Sequence, residues 1–162
     1  MGKTLGDAFG GKLTTLEEQR AIWAEAVHED AIWEGPMFER PVVFVGFEAT
    51  SRFFEFLLSV VPRFSTTLVG AWPTKDAATN IIESFGGGPT ADGKGEYTQR
   101  YFSQVTMRDG RAFRMREYCN PFQTYKAFGK ERWESRIAAI MKEHNAPWPA
   151  SQAPDPARLP GT

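Results

Sequence analysis

Asp109-Gly110 stands between two long runs rich in β-branched and aromatic residues, 96–108 and 111–120. Asp-Gly in that position specifies a tight hairpin, because both central residues of the favoured turn need positive φ. This hairpin is the strongest constraint on the chain. A hairpin this long needs a sheet and a second layer to bury one of its faces. Side chains alternate along a strand, so Met115, Glu117 and Cys119 share one face, and Arg114, Arg116 and Tyr118 share the other. Glu117 is therefore a carboxylate on an apolar surface. Burial there disfavours its charged form and raises its pKa.

The rest of the pattern supplies the other layer. Thr15 to Glu18 has capping-box spacing and opens a helix with Leu16, Gln19, Ile22, Trp23, Ala26 and Val27 on one side, closed by His28-Glu29-Asp30. Residues 31–34 and 41–45 read as short strands. Residues 47–61, apolar nearly all round and stopped by Pro62, read as a buried helix. Residues 65–72 and 77–85 read as strands, and Gly86-Gly87-Gly88-Pro89 through Gly95 as a mobile loop. Trp133, Ile137, Ile140 and Met141 mark a helix over about 130–144. Residues 1–13 read as a loosely ordered Gly-rich segment. Residues 14–145 read as one domain. Residues 146–162, with five prolines, read as an extended tail that can be neither helix nor central strand. The expected fold is α+β: a conical, curved, mainly antiparallel sheet wrapped by helices around an internal pocket, a cystatin-like α+β barrel.

Composition narrows the function. Of 162 residues, 41% are hydrophobic and 24% charged, and the net charge is −1, so no strong field draws nucleic acid or an anionic membrane. A single cysteine excludes an internal disulfide framework, and no apolar run is long enough to span a bilayer; the expected location is cytoplasmic. The two histidines, His28 and His144, belong to no cluster with metal-ligand spacing, and residues 6–13 imitate a phosphate loop but lack its Ser or Thr and a preceding strand. No metal and no cofactor are expected. The aromatic content is the unusual figure: 14%, with 13 Phe and 5 Trp, which suits a ring-lined cavity or interface.

Three local features resemble one superfamily. His28-Glu29-Asp30-Ala31-Ile32-Trp33 resembles its helix-to-strand junction, Gly46-Phe47-Glu48-Ala49 its strand-to-helix entry, and residues 101–120 its last two strands. The chain thus resembles the nuclear transport factor 2-like superfamily, in the SnoaL-like branch that holds polyketide cyclases and ketosteroid isomerase. Arg116-Glu117-Tyr118-Cys119-Asn120-Pro121-Phe122-Gln123 and the Leu159-Pro160-Gly161-Thr162 end resemble the phenazine-biosynthesis A/B proteins. The resemblance implies that Glu117 is the essential acid and Tyr97 a pocket tyrosine, with Gln99, Tyr101 and Ser103 on its face. It also implies two departures: Phe53 stands where that family has a pocket histidine, and Trp23 near a pocket arginine. The family's contacts to an anionic substrate are lost with them.

The candidate catalytic residue is Glu117, as a general acid and base; the bland alternatives are a salt bridge to Arg100, Arg111 or Arg114, or a hydrogen-bonded structural acid. Candidate substrate contacts are Tyr97, Gln99, Tyr101, Asn120, Phe53, Trp33 and Trp23. Asn120 could instead bond its own backbone before Pro121, and the rings could be plain core. Glu83 reads as a structural acid, and Cys119 as an inert thiol. The expected function is a cofactor-independent isomerase, cyclase, dehydratase or condensing enzyme on a small hydrophobic cyclic metabolite. The alternatives are a non-catalytic binder of such a molecule and a structural partner subunit. A homodimer through the open sheet face is what the resemblance implies.

Overall fold

A computed structural model describes residues 16–149, with Leu16 and Gln19 described by their backbone alone. The Gly-rich segment 1–13, the phosphate-loop imitation, Thr15 of the capping box and the tail beyond 149 lie outside the described residues. The elements are α1 (Leu16–Ala26), β1 (Val27–Gly35), β2 (Val42–Val45), α2 (Phe47–Val60), β3 (Ser65–Pro73), β4 (Thr79–Pro89), β5 (Glu96–Arg108), β6 (Arg111–Tyr118), α3 (Pro121–Phe128) and α4 (Lys130–His144).

The six strands form one sheet in the order β2-β1-β6-β5-β4-β3. All neighbours are antiparallel except β1 and β6, which the crossover through α2 and the hairpins makes parallel. The architecture is the expected α+β, but the sheet is mixed, and it stays open: β2 and β3 are its two ends and do not pair, so it is not a closed barrel. The β2 edge is covered by the start of the tail. The Asn145 side chain takes the Val45 N–H at 3.0 Å and donates to the Val43 carbonyl at 2.9 Å, and the Ala146 N–H donates to Val45.

The hairpin has the expected turn, with Asp109 at φ 51° and Gly110 at φ 76°. Strand β5 alternates without a break: Tyr97, Gln99, Tyr101, Ser103 and Val105 are buried, and the residues between them are exposed. Its inner face meets the helices. Trp23 of α1, Phe53, Phe54, Phe56 and Leu57 of α2, Phe128 of α3 and Trp133 of α4 pack over it as one core. Gly46, at φ 87°, turns the chain into α2, where a side chain would be strained.

Several boundaries differ from the sequence reading. His28, Glu29 and Asp30 belong to β1, not to the end of a helix, and Val27 is its first residue. The bulge between Val27 and Ile32 leaves Glu29 and Asp30 exposed, which is why the segment shows no strand alternation. Residues 86–89 are not a loop; they continue β4 and pair with β5. The glycines serve packing. A Cβ on Gly86 would lie 2.7 Å from the Tyr101 ring and 2.9 Å from the Phe64 ring, and one on Gly87 would strike the Tyr97 carbonyl oxygen. The segment after Asn120 forms a separate helix, α3, before Gly129 restarts the chain as α4.

Candidate active site

The helices leave a cavity of about 80 Å³ against the inner face of the sheet. Its wall is mostly ring and aliphatic surface, with Trp33 packed 4.7 Å from Phe53 and Trp23 4.6 Å from Phe54 between ring centres. Of the expected contacts, Tyr97, Tyr101, Phe53, Trp33 and Trp23 line it, and so does Glu117.

Glu117 is set there by register. It stands directly opposite Ser103 across β5 and β6, with Met115 before it and Cys119 after it on the same cavity wall. A two-residue turn alone would have put Phe102 opposite Glu117. The irregularity between Thr106 and Met107 shifts the pairing by one residue and brings the Ser103 hydroxyl to the carboxyl. Burial pushes the Glu117 carboxyl up to about 8, against the smaller opposing pull of the hydrogen bond from Ser103. The alternative ion pairs do not form: Arg114 and Arg116 reach Glu34 on the opposite face at 3.5 and 3.2 Å, and Arg100 reaches Glu83 at 2.8 Å. Glu83 is thus the structural acid expected. Among the described residues, no Arg, Lys or His lines the cavity.

A chain of hydroxyls faces the same space. Tyr97 and Tyr101 share a hydrogen bond of 3.0 Å, and Thr124 of α3 bonds Tyr97 in turn. Burial pushes Tyr97 up to about 12 and Tyr101 well above its ordinary value; the nearby Glu117 charge adds to both. Cys119 is also pushed up, by burial first and then by Glu117, so it is held as a neutral thiol. Glu117 is the cavity group that changes charge near neutral pH.

Gln99 and Asn120 depart from expectation. Neither lines the cavity. The Gln99 amide donates to the Asn120 carbonyl at 2.8 Å and accepts from its N–H at 3.1 Å. The Asn120 side chain accepts from the Phe122 N–H at 3.0 Å and caps α3, with Pro121 at the first helical turn. Both hold the β6–α3 corner that carries Thr124 to the cavity. Ser103 and Thr124 were not among the expected site residues. Period two already placed Ser103 on the Tyr97 face, but its partner depends on a bulge that no residue type announces.

No family model matches the sequence. A phenazine biosynthesis-related protein of Pseudomonas aeruginosa superposes with a TM-score of 0.63 at 19% identity, over 76% of this chain and 80% of that one. A SnoaL-like polyketide cyclase candidate from Jannaschia superposes at 0.56 and 15% identity, over 69% and 79%. The chain has the nuclear transport factor 2-like fold. Matches from Bacillus subtilis are nearer in sequence. A candidate isomerase superposes at a TM-score of 0.59 with 28% identity, covering 70% of this chain and 84% of its own. The uncharacterized protein YesE is 29% identical over 116 residues, 70% of this chain and 79% of the relative. Within the described residues no helix is long and apolar enough to cross a membrane.

Proposed function

We propose that the protein is a cofactor-independent acid/base enzyme acting on a small hydrophobic cyclic metabolite. The observation that carries this reading is the Glu117 carboxyl, half-buried on the wall of an apolar cavity, with its pKa pushed to about 8. At pH 7 such a group is about one-tenth ionised, so both its forms are within reach of turnover. Its carboxylate removes a proton from a carbon next to a carbonyl. The C–H electrons become the enolate double bond, and the carbonyl oxygen takes the negative charge beside the Tyr97–Tyr101–Thr124 hydroxyls. The same carboxyl then returns the proton, at the same carbon or another. Isomerisation, cyclisation and dehydration all use that step. Names among the structural relatives, isomerase and polyketide cyclase, are consistent with it.

The test is deuterium uptake from D₂O into the ring carbons of cyclohexanone, followed by NMR. The wild type accelerates exchange and Glu117→Gln loses the acceleration while keeping its fold. Equal exchange by both proteins overturns the assignment. One observation favours a binder instead: no second cavity group titrates near neutrality, since both tyrosines and Cys119 are pushed up. A binder would retain cyclohexanone without exchanging it.

We further propose that two copies pair through the outer sheet face. Trp72, Phe85, Phe102 and Tyr118 sit there in adjacent rows, 47%, 46%, 44% and 40% exposed, more apolar ring surface than a solvated face carries singly.

A further inference from the structure

One stretch of the cavity wall is built differently from the rest. Most of the lining residues belong to strands or helices and are fixed by the sheet ladders and the helix packing. Three stand outside them: Phe38, Phe64 and Cys119. Phe64 is 4% exposed, and its N–H donates to the Val61 carbonyl at 3.1 Å. Cys119 adjoins Asn120, whose N–H and carbonyl are both bonded by the Gln99 amide. Phe38 is held through side chains instead.

Phe38 lies in the connection between β1 and β2, Pro36-Met37-Phe38-Glu39-Arg40-Pro41. The other five residues are exposed, so this ring is the loop's one inward group. It stacks on Trp133 of α4 at 5.0 Å between ring centres and meets Tyr125 of α3 edge-on at 6.0 Å. Gly35 leaves it room: a Cβ there would lie 3.2 Å from the Phe38 ring. Pro36 and Pro41 fix φ at both ends of the loop and restrict the residues before them, Gly35 and Arg40. A loop stiffened at both ends shifts as one piece.

The outer side of the loop is tied to the α3–α4 corner. The Glu39 carboxylate pairs with the Lys130 ammonium at the start of α4, and Lys130 also reaches Glu134 at 3.9 Å. The Tyr125 hydroxyl donates to Glu134 at 3.4 Å and accepts from the Glu39 backbone N–H. The Glu39 and Lys130 side chains are 64% and 52% exposed. Exposed ion pairs of this kind contribute little and weaken with salt. Lifting this loop therefore breaks ring contacts and a solvated tie, whereas moving the strands or helices breaks sheet ladders or core packing.

We propose that residues 36–41 are a flap on the cavity, with Phe38 as its inner face and the Glu39–Lys130–Tyr125 contacts as its latch, and that small apolar molecules enter and leave when it swings out. Such a flap controls access whether Glu117 catalyses or the protein only binds.

Cys119, the only cysteine in the chain, lies on the cavity wall and reports the opening. The test is its labelling in the intact protein at pH 8 by methyl methanethiosulfonate, a small uncharged thiol reagent, followed by mass spectrometry. Phe38→Ala speeds labelling about tenfold, the weight of the lost ring contacts. Glu39→Gln speeds it about two- to fivefold at low salt. Added sodium chloride brings the wild type up to the Glu39→Gln rate and leaves that variant unchanged. Urea denaturation of each protein separates flap opening from global unfolding. Equal rates in the wild type and Phe38→Ala overturn the proposal, and so does an acceleration that the variant's lost stability accounts for in full. Acceleration in Phe38→Ala beside a salt-independent wild type keeps the flap and removes the latch. None of these readings uses turnover, so a failed flap leaves the Glu117 assignment to the exchange experiment.

Discussion

Replacing Glu117 by Gln should stabilise the protein, and increasingly so as pH rises. The folded-state carboxyl sits at about 8 against an ordinary value of 4.5. Between those values the folded chain holds a proton that the unfolded chain has released, so stability falls as pH climbs through the window. At about 1.4 kcal/mol for each pH unit crossed, the wild type gives up about 3 kcal/mol between pH 4 and pH 7, and about 5 kcal/mol by pH 9. Glutamine fills nearly the same volume, can still meet the Ser103 hydroxyl, and has no charge to desolvate. Urea denaturation of both proteins at pH 4, 7 and 9 measures the difference directly, since every other titrating group is common to both. The two should be close at pH 4 and diverge above it, with the variant the more stable. Parallel stability curves, or a variant that loses stability at pH 9, would refute the argument that Glu117 is buried without a compensating cation.

Three further outcomes follow from the same geometry. If Glu117 is the base, cyclohexanone exchange should rise about tenfold per pH unit below 8 and level off above it, because the tyrosines titrate far higher; a rate that falls through pH 8 would assign Glu117 the acid's role only. Asn120→Ala should cost about 1 kcal/mol of stability through the lost α3 cap, read by thermal melting, and leave cyclohexanone affinity unchanged; a lost affinity would return Asn120 to the site. Phe102→Asp should convert a dimer to a monomer in sedimentation, and a wild type that already sediments as a monomer removes that proposal.

Much of the sheet was legible because its signals are local. Asp109-Gly110 set the hairpin, and period two put Glu117 with Met115 and Cys119, and Tyr97 with Tyr101 and Ser103, on the buried faces. The misread segments are those where tertiary packing outweighs local preference. Residues 86–89 look like a loop by composition, yet glycine is what the Phe64 and Tyr101 rings leave room for in a strand. His28 to Asp30 look like a helix end because a bulge erases the alternation. Gln99 and Asn120 share a region with the site residues, but their amides bond the backbone of the β6–α3 corner, a use that shows only in three dimensions. Ser103 needed the one-residue shift at Met107 before its hydroxyl could be matched to Glu117.

The proposed chemistry turns on the charge state of one carboxyl in one cavity. Carbon-13 NMR of protein labelled at glutamate carboxyls, with the Glu117 signal identified by its absence in Glu117→Gln, reads that state against pH. A midpoint near 8 is the expected result. A midpoint near the ordinary 4.5 would mean that Glu117 is solvated or paired, and the proposed site would lose its proton carrier.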